Sequence, residues 1–169
     1  MTGRWSPVAI MATLLAVTAC TGNECYENHS ALPLAAFYNA ATLQPVTVQR
    51  LAVYGIGAPG DSVLYMPQAL AEAYLPFRVW QDTTQYVFAY ASGYTDSIST
   101  PLPPQLPKDT ITFVYKPKEW FVSPACGAMY FYEMKDVWHT DYLIDSIAYK
   151  DLITNENVAN IKIFFKEGD

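Results

Sequence analysis

Apolar and polar positions alternate along most of this chain. Tyr86, Phe88 and Tyr90 fall on one face of the segment Thr84 to Ala91, and Ile111, Phe113 and Tyr115 on one face of the next. A two-residue period predicts half-buried β-strands. Near the carboxyl end Ile161, Ile163 and Phe165 alternate with Asn160, Lys162 and Phe164. The run Val46 to Tyr54 alternates and then slips by one position near Arg50, which predicts a β-bulge. Shorter runs at Leu34–Tyr38, Asp61–Tyr65 and Leu143–Tyr149 predict further strands, and Gly55–Gly60 a turn. Met129–Met134 is aromatic on both faces, as in a central strand.

Two segments break the pattern. Pro67–Tyr74 has the best helix propensity in the chain and predicts a short helical turn or an irregular edge, followed by a strand from Leu75 to Trp80. Ser92–Lys108 is a long loop whose Pro101-Leu-Pro-Pro-Gln-Leu-Pro107 cannot form a ladder. Short strands at near-regular spacing predict an all-β fold: an antiparallel β-sandwich, Ig-like or small and barrel-like. No internal repeat or second domain is visible, so residues 31–169 read as one domain.

The first thirty residues differ in kind. An uncharged apolar run, Val8–Ala19, follows Arg4, as in a secretory signal. It is shorter than the roughly 20 apolar residues a membrane span needs. Val17-Thr18-Ala19-Cys20 resembles the bacterial lipobox. The resemblance implies that residues 1–19 are a signal peptide, that Cys20 becomes a diacylglyceryl-modified amino terminus, and that 20–30 form a lipidated tether, so the membrane is a partner through the anchor. The alternative is a secreted protein with a free Cys20. Thr21, where Asp would favour the inner membrane, points by analogy to the outer membrane, facing the periplasm.

If Cys20 carries lipid, Cys25 and Cys126 are left, and an even remainder in an oxidising compartment reads as a disulfide. It would close a loop of about 100 residues, for which chain entropy allows up to about 4.7 kcal/mol. The rival reading makes Cys126 a nucleophile with His139 as its base.

Composition narrows the class. The chain is 51% hydrophobic, with thirteen Tyr, which is too apolar for disorder. Its net charge is −6 and its Lys and Arg are scattered, so nucleic acid is excluded as an expected partner. Trp80, Trp120, Trp138, Tyr130 and Tyr132 could stack on sugar rings or fill the core. Five of nine aspartates precede Ser or Thr. Turn capping explains such runs, notably at Asp61 and Asp109. They also resemble the O-glycosylation signal of exported Bacteroidetes proteins, which would mark Ser62, Thr83, Ser97, Thr110 and Ser146, with Ser97 the most accessible. His139, Asp141 and Asp145 fall short of a metal site, and no phosphate loop or nucleophile elbow is present, so no cofactor is expected.

Ordered phrases then suggest a family: Ala35-Ala-Phe-Tyr-Asn39, Leu51-Ala-Val-Tyr-Gly55, Asp61-Ser-Val-Leu-Tyr65, Leu75-Pro-Phe77, Val122-Ser-Pro-Ala-Cys-Gly127, Ile144-Asp-Ser-Ile147 and Asn160-Ile-Lys-Ile-Phe164. The chain resembles the small Bacteroidetes lipoproteins grouped as domain of unknown function 6452. Cys25 and Cys126 match that family's early Cys and its Ser-Pro-x-Cys-Gly element. Ala128-Met129 stand where a bulkier aromatic or basic pair is expected, so the surroundings of Cys126 differ. The resemblance implies lineage and compartment but no activity. The expected function is a noncatalytic envelope lipoprotein that binds or scaffolds an envelope protein or glycan. The alternatives are a glycan- or small-ligand-binding module and a hydrolase.

Overall fold

In a computed structural model, residues 30–57, 63–91, 105–124 and 127–167 are described. Cys20, Cys25, Cys126, Ser62 and Ser97 lie outside them. The described residues form ten strands: β1 (Leu34–Asn39), β2 (Val48–Gly55), β3 (Val63–Leu70), β4 (Glu72–Tyr74), β5 (Thr83–Tyr90), β6 (Lys108–Ser123), β7 (Gly127–His139), β8 (Ile144–Tyr149), β9 (Leu152–Ile153) and β10 (Ala159–Phe165). Two sheets, ordered β4-β1-β10-β8 and β3-β2-β5-β6-β7-β9, pack face to face as the expected all-β sandwich.

The core between them is the alternating set read from the sequence. Leu51, Val53, Phe88, Ile111, Phe113 and Tyr115 from the larger sheet meet Phe37, Ile144, Ile161, Ile163 and Phe165 from the smaller. Phe37 contacts Phe165 and Phe88 edge-on, at centroid separations of 5.2 and 6.2 Å. The slip near Arg50 is a bulge: the β2–β3 register shifts between Val48 and Leu51, and Arg50 has φ +50°. Its Nε donates to the Ala91 carbonyl at 3.1 Å, which holds the strained residue.

Four expectations need correction. The sandwich is not wholly antiparallel, because β1 and β10 pair in parallel, the intervening chain acting as their crossover. Pro67–Tyr74 forms no helical turn. It takes the irregular-edge alternative instead, as edge strand β3, with register shifts against β2, running into β4; tertiary pairing overrides propensity, for Tyr65, Leu70 and Ala73 pack on the core while β4 pairs with β1. Pro67 is tolerated because β3 is a sheet edge. Leu75–Trp80 is not a strand but an irregular segment and turn. Met129–Met134 is not central, for only the two-residue β9 lies beyond β7.

Candidate functional site

Residues 75–80 run past β5, β6 and β7 of the larger sheet without a ladder of their own. Three tyrosine hydroxyls supply the missing donors. Tyr86 donates to the Pro76 carbonyl, Tyr132 to Phe77 O at 3.2 Å and Tyr115 to Arg78 O at 3.0 Å. The Arg78 N–H donates to Tyr115 Oη at 2.8 Å, and Thr84 Oγ1 lies 2.6 Å from the same hydroxyl. Phe77 stacks on Tyr115, with centroids 4.4 Å apart and planes at 9°. Burial raises the pKa of all three phenols, that of Tyr132 to about 12, so they stay protonated donors at neutral pH.

This clamp ends at Trp80, which is 86% exposed. Trp80 meets Tyr130 edge-on at 6.3 Å and, with Val79, Gln81, Asp82, Thr83, Lys116 and Pro117, lines a shallow open groove. Gln81 is oriented by the Arg78 guanidinium at 2.8 Å. An upright indole beside an amide, a carboxylate and an ammonium can stack on one ring face of a ligand and hydrogen-bond its rim.

The five expected stacking aromatics do not share a surface. Tyr132, with 2% exposure, is a core residue and is corrected as a stacking candidate. Tyr130 is half-buried beneath Trp80. Trp120 and Trp138, both 60% exposed, pair with Met129 and Thr112 on the opposite face of the sheet. The eight residue steps from Thr112 to Trp120 span roughly 27 Å, too far for one platform.

Of the expected glycosylation residues, Thr83 and Thr110 are half-buried, whereas Ser146 is exposed on β8, its Oγ donating to Asp145 at 3.0 Å. His139 Nδ1 lies 2.7 Å from the Thr140 carbonyl, and no group of three metal-ligating side chains occurs among the described residues. The rival reading of Cys126 as a nucleophile with His139 as its base falls on a cysteine outside the described residues; His139 itself ends β7, the strand Gly127–His139.

Sequence reasoning missed the role of Asp109. The expectation was capping of its own turn; instead it clamps a loop more than thirty residues away. Its Oδ1 accepts Thr140 Oγ1 and the Tyr142 N–H, each at 2.7 Å, and its Oδ2 accepts Tyr90 Oη at 2.7 Å, the Leu143 N–H at 2.9 Å and the Ile144 N–H at 3.1 Å. Burial would raise its pKa, but these donors, led by the Leu143 amide, outweigh it and hold the carboxyl below the usual aspartate value. The nearby space between the sheet ends is a partly open cavity of about 390 Å³, walled by Val46, Val48, Tyr90, Leu143 and Phe165 with Lys166 and Glu167 at its border.

The described residues thus form a two-sheet β-sandwich with an exposed groove at Trp80 and a cavity between the sheet ends. A family model covers residues 50–165, and the chain belongs to that family, the family of unknown function DUF6452. No curated protein matches the chain, and no solved structure matches it.

Proposed function

We propose that this protein is a noncatalytic, lipid-anchored envelope lipoprotein that binds an envelope glycan through the groove at Trp80. The observation that carries this is an indole held out into solvent by a segment whose carbonyls are fixed by three buried tyrosines, beside Gln81, Asp82 and Lys116. Presentation on a rigid support limits the entropy lost on binding. The anchor rests on the lipobox and the apolar run before it, and predicts that Cys20→Ala releases the protein from the outer membrane. The Cys25–Cys126 bond gains support from a contact between their flanks. The Ala31 N–H donates to Tyr130 O at 2.7 Å and the Tyr130 N–H to Ser30 Oγ at 3.0 Å, so each thiol is four or five residues from a shared point.

A hydrolase reading is weaker, because the buried carboxylate Asp109 has both oxygens committed to structural donors. The end cavity favours a second reading, a small apolar ligand, which a bulky substitution at Val48 would exclude. The deciding experiment titrates the mature protein with purified envelope polysaccharide by calorimetry. Heat of binding that disappears in Trp80→Ala and persists in Trp138→Ala is expected. Equal binding by both variants sinks the groove.

A further inference from the structure

The far half of the β6–β7 hairpin carries apolar side chains that the fold does not use. Trp120 and Phe121 are 60% and 65% exposed, and Val122 and Met129 are only half-buried. The strands close on each other through the Ser123–Gly127 pairing, with Gly127 at φ +74°. Behind the tip, Lys118 lies 3.0 Å from Glu133, which also pairs with Lys135, so the two lysines and one glutamate leave only a single positive charge there.

The chain enters the described structure at this hairpin. Ser30 and Ala31 bond to Tyr130, three residues from Gly127, and the 29 residues that precede Ser30 contain the apolar run and Cys20. Ten residues from Cys20 to Ser30 reach at most about 35 Å when extended. A lipid on Cys20 therefore keeps the hairpin end close to the bilayer.

We propose that the Trp120–Phe121 end of the hairpin sits in the headgroup layer of a phospholipid bilayer and fixes the orientation of the sandwich on the membrane. Tryptophan and other aromatic rings favour that layer because they offer an apolar body with a polar edge. The lipid partner is zwitterionic, since a chain of net charge −6 is repelled by an anionic surface. The inference rests on the lipid-anchor reading for the tether, but the tip's affinity for the bilayer is its own property. In this orientation Trp80, on the opposite sheet face from Trp120, stays in water and open to ligand.

The test uses mature acylated protein in phosphatidylcholine vesicles whose acyl chains carry bromine near the headgroup. Single-tryptophan variants retain Trp80, Trp120 or Trp138, the others being replaced by Phe. Bromine should quench Trp120 at least about twofold more than Trp138 or Trp80, and Phe121→Ser should reduce that quenching. A second arm holds unacylated Cys20→Ala protein, with a hexahistidine tag in place of residues 1–19, on nickel-chelating lipid. Selective Trp120 quenching there, even when mass spectrometry finds no acyl group on the native protein, upholds the tip and removes the anchor. Acylated protein whose Trp120 is quenched no more than Trp138 keeps the anchor and overturns the tip. Trp120 shielded in a dimer, shown by sedimentation without bromine quenching, overturns it in favour of a second copy.

Discussion

The two halves of β6 show how differently one strand can be used. From Lys108 to Val114 it pairs with β5, from Ile111 onward also with β7, and every second side chain up to Tyr115 is buried. From Lys116 to Ser123 it has, among the described residues, only β7 beside it, and its side chains are exposed or half-buried. The first half begins at Asp109, whose oxygens are fully committed. The second begins at the Trp80 groove and ends at Trp120 and Phe121. Polar groups where partners converge become structure. Apolar groups where the neighbouring strand stops become surface available for binding.

The sharpest break of this contrast is Asp109→Ala. It would strand Tyr90 Oη, Thr140 Oγ1 and three backbone N–H groups. A loss of about 3–5 kcal/mol in urea unfolding is expected, since removing one side of a buried charged network leaves the other unsatisfied. Trp80→Ala, by comparison, should move stability by less than about 0.5 kcal/mol. Comparable losses in the two would erase the distinction between the halves.

Phe77→Ala comes next. Its ring lies 5.1 Å from Phe113 and 4.4 Å from Tyr115, and the loss of a buried phenyl costs about 3 kcal/mol or more. If the tyrosine clamp presents Trp80, this variant should weaken ligand binding as well, although Phe77 does not line the groove.

The pH dependence separates the halves with a smaller effect. Asp109 has a folded pKa below the ordinary 3.8, so the unfolded chain takes up its proton first. Its contribution is complete above about pH 4 and is lost as pH falls through the folded value. On the alkaline side Tyr132 is raised from 10.0 to about 12, so its contribution is full below pH 10 and is lost as pH climbs toward 12. Unfolding midpoints should fall at both extremes. Asp109→Asn should flatten only the acid limb and Tyr132→Phe only part of the alkaline one.

The strands themselves were legible because each buries one face. Phe88, Phe113 and Ile163 give a two-residue period that needs no knowledge of partners, and the bulge appears as a slip in that period at Arg50. What was illegible depends on partners distant in sequence. The parallel pairing of β1 with β10 joins the first strand to the last. Residues 75–80 look like a strand because Leu75 and Phe77 are buried, yet their carbonyls are satisfied by hydroxyls 10 to 55 residues away. Asp109 is bound to residues 19 to 35 positions on either side, and nothing local marks it. Of the groove, the aromatic supply was visible, but which ring would face water was not, because Trp80 and Tyr132 differ only in what packs over them.

The smallest expected effect on stability concerns the open edge itself. The Tyr115 N–H still reaches the Asp82 carbonyl at 2.8 Å, and beyond it the β5 side of β6 has no strand partner among the described residues. Alternation directs the backbone of residues 117, 119 and 121 toward that edge. Residue 117 is Pro, which brings no N–H to it and so blocks a second strand from adding there. Pro117→Val would restore a donor on an exposed strand already rich in aromatics. Stability should change by less than about 1 kcal/mol, while self-association, read by sedimentation velocity, should rise. A fully monomeric Pro117→Val protein would mean that something other than the missing N–H protects the edge, with the exposed Lys116, Lys118 and Glu119 the next side chains to neutralise.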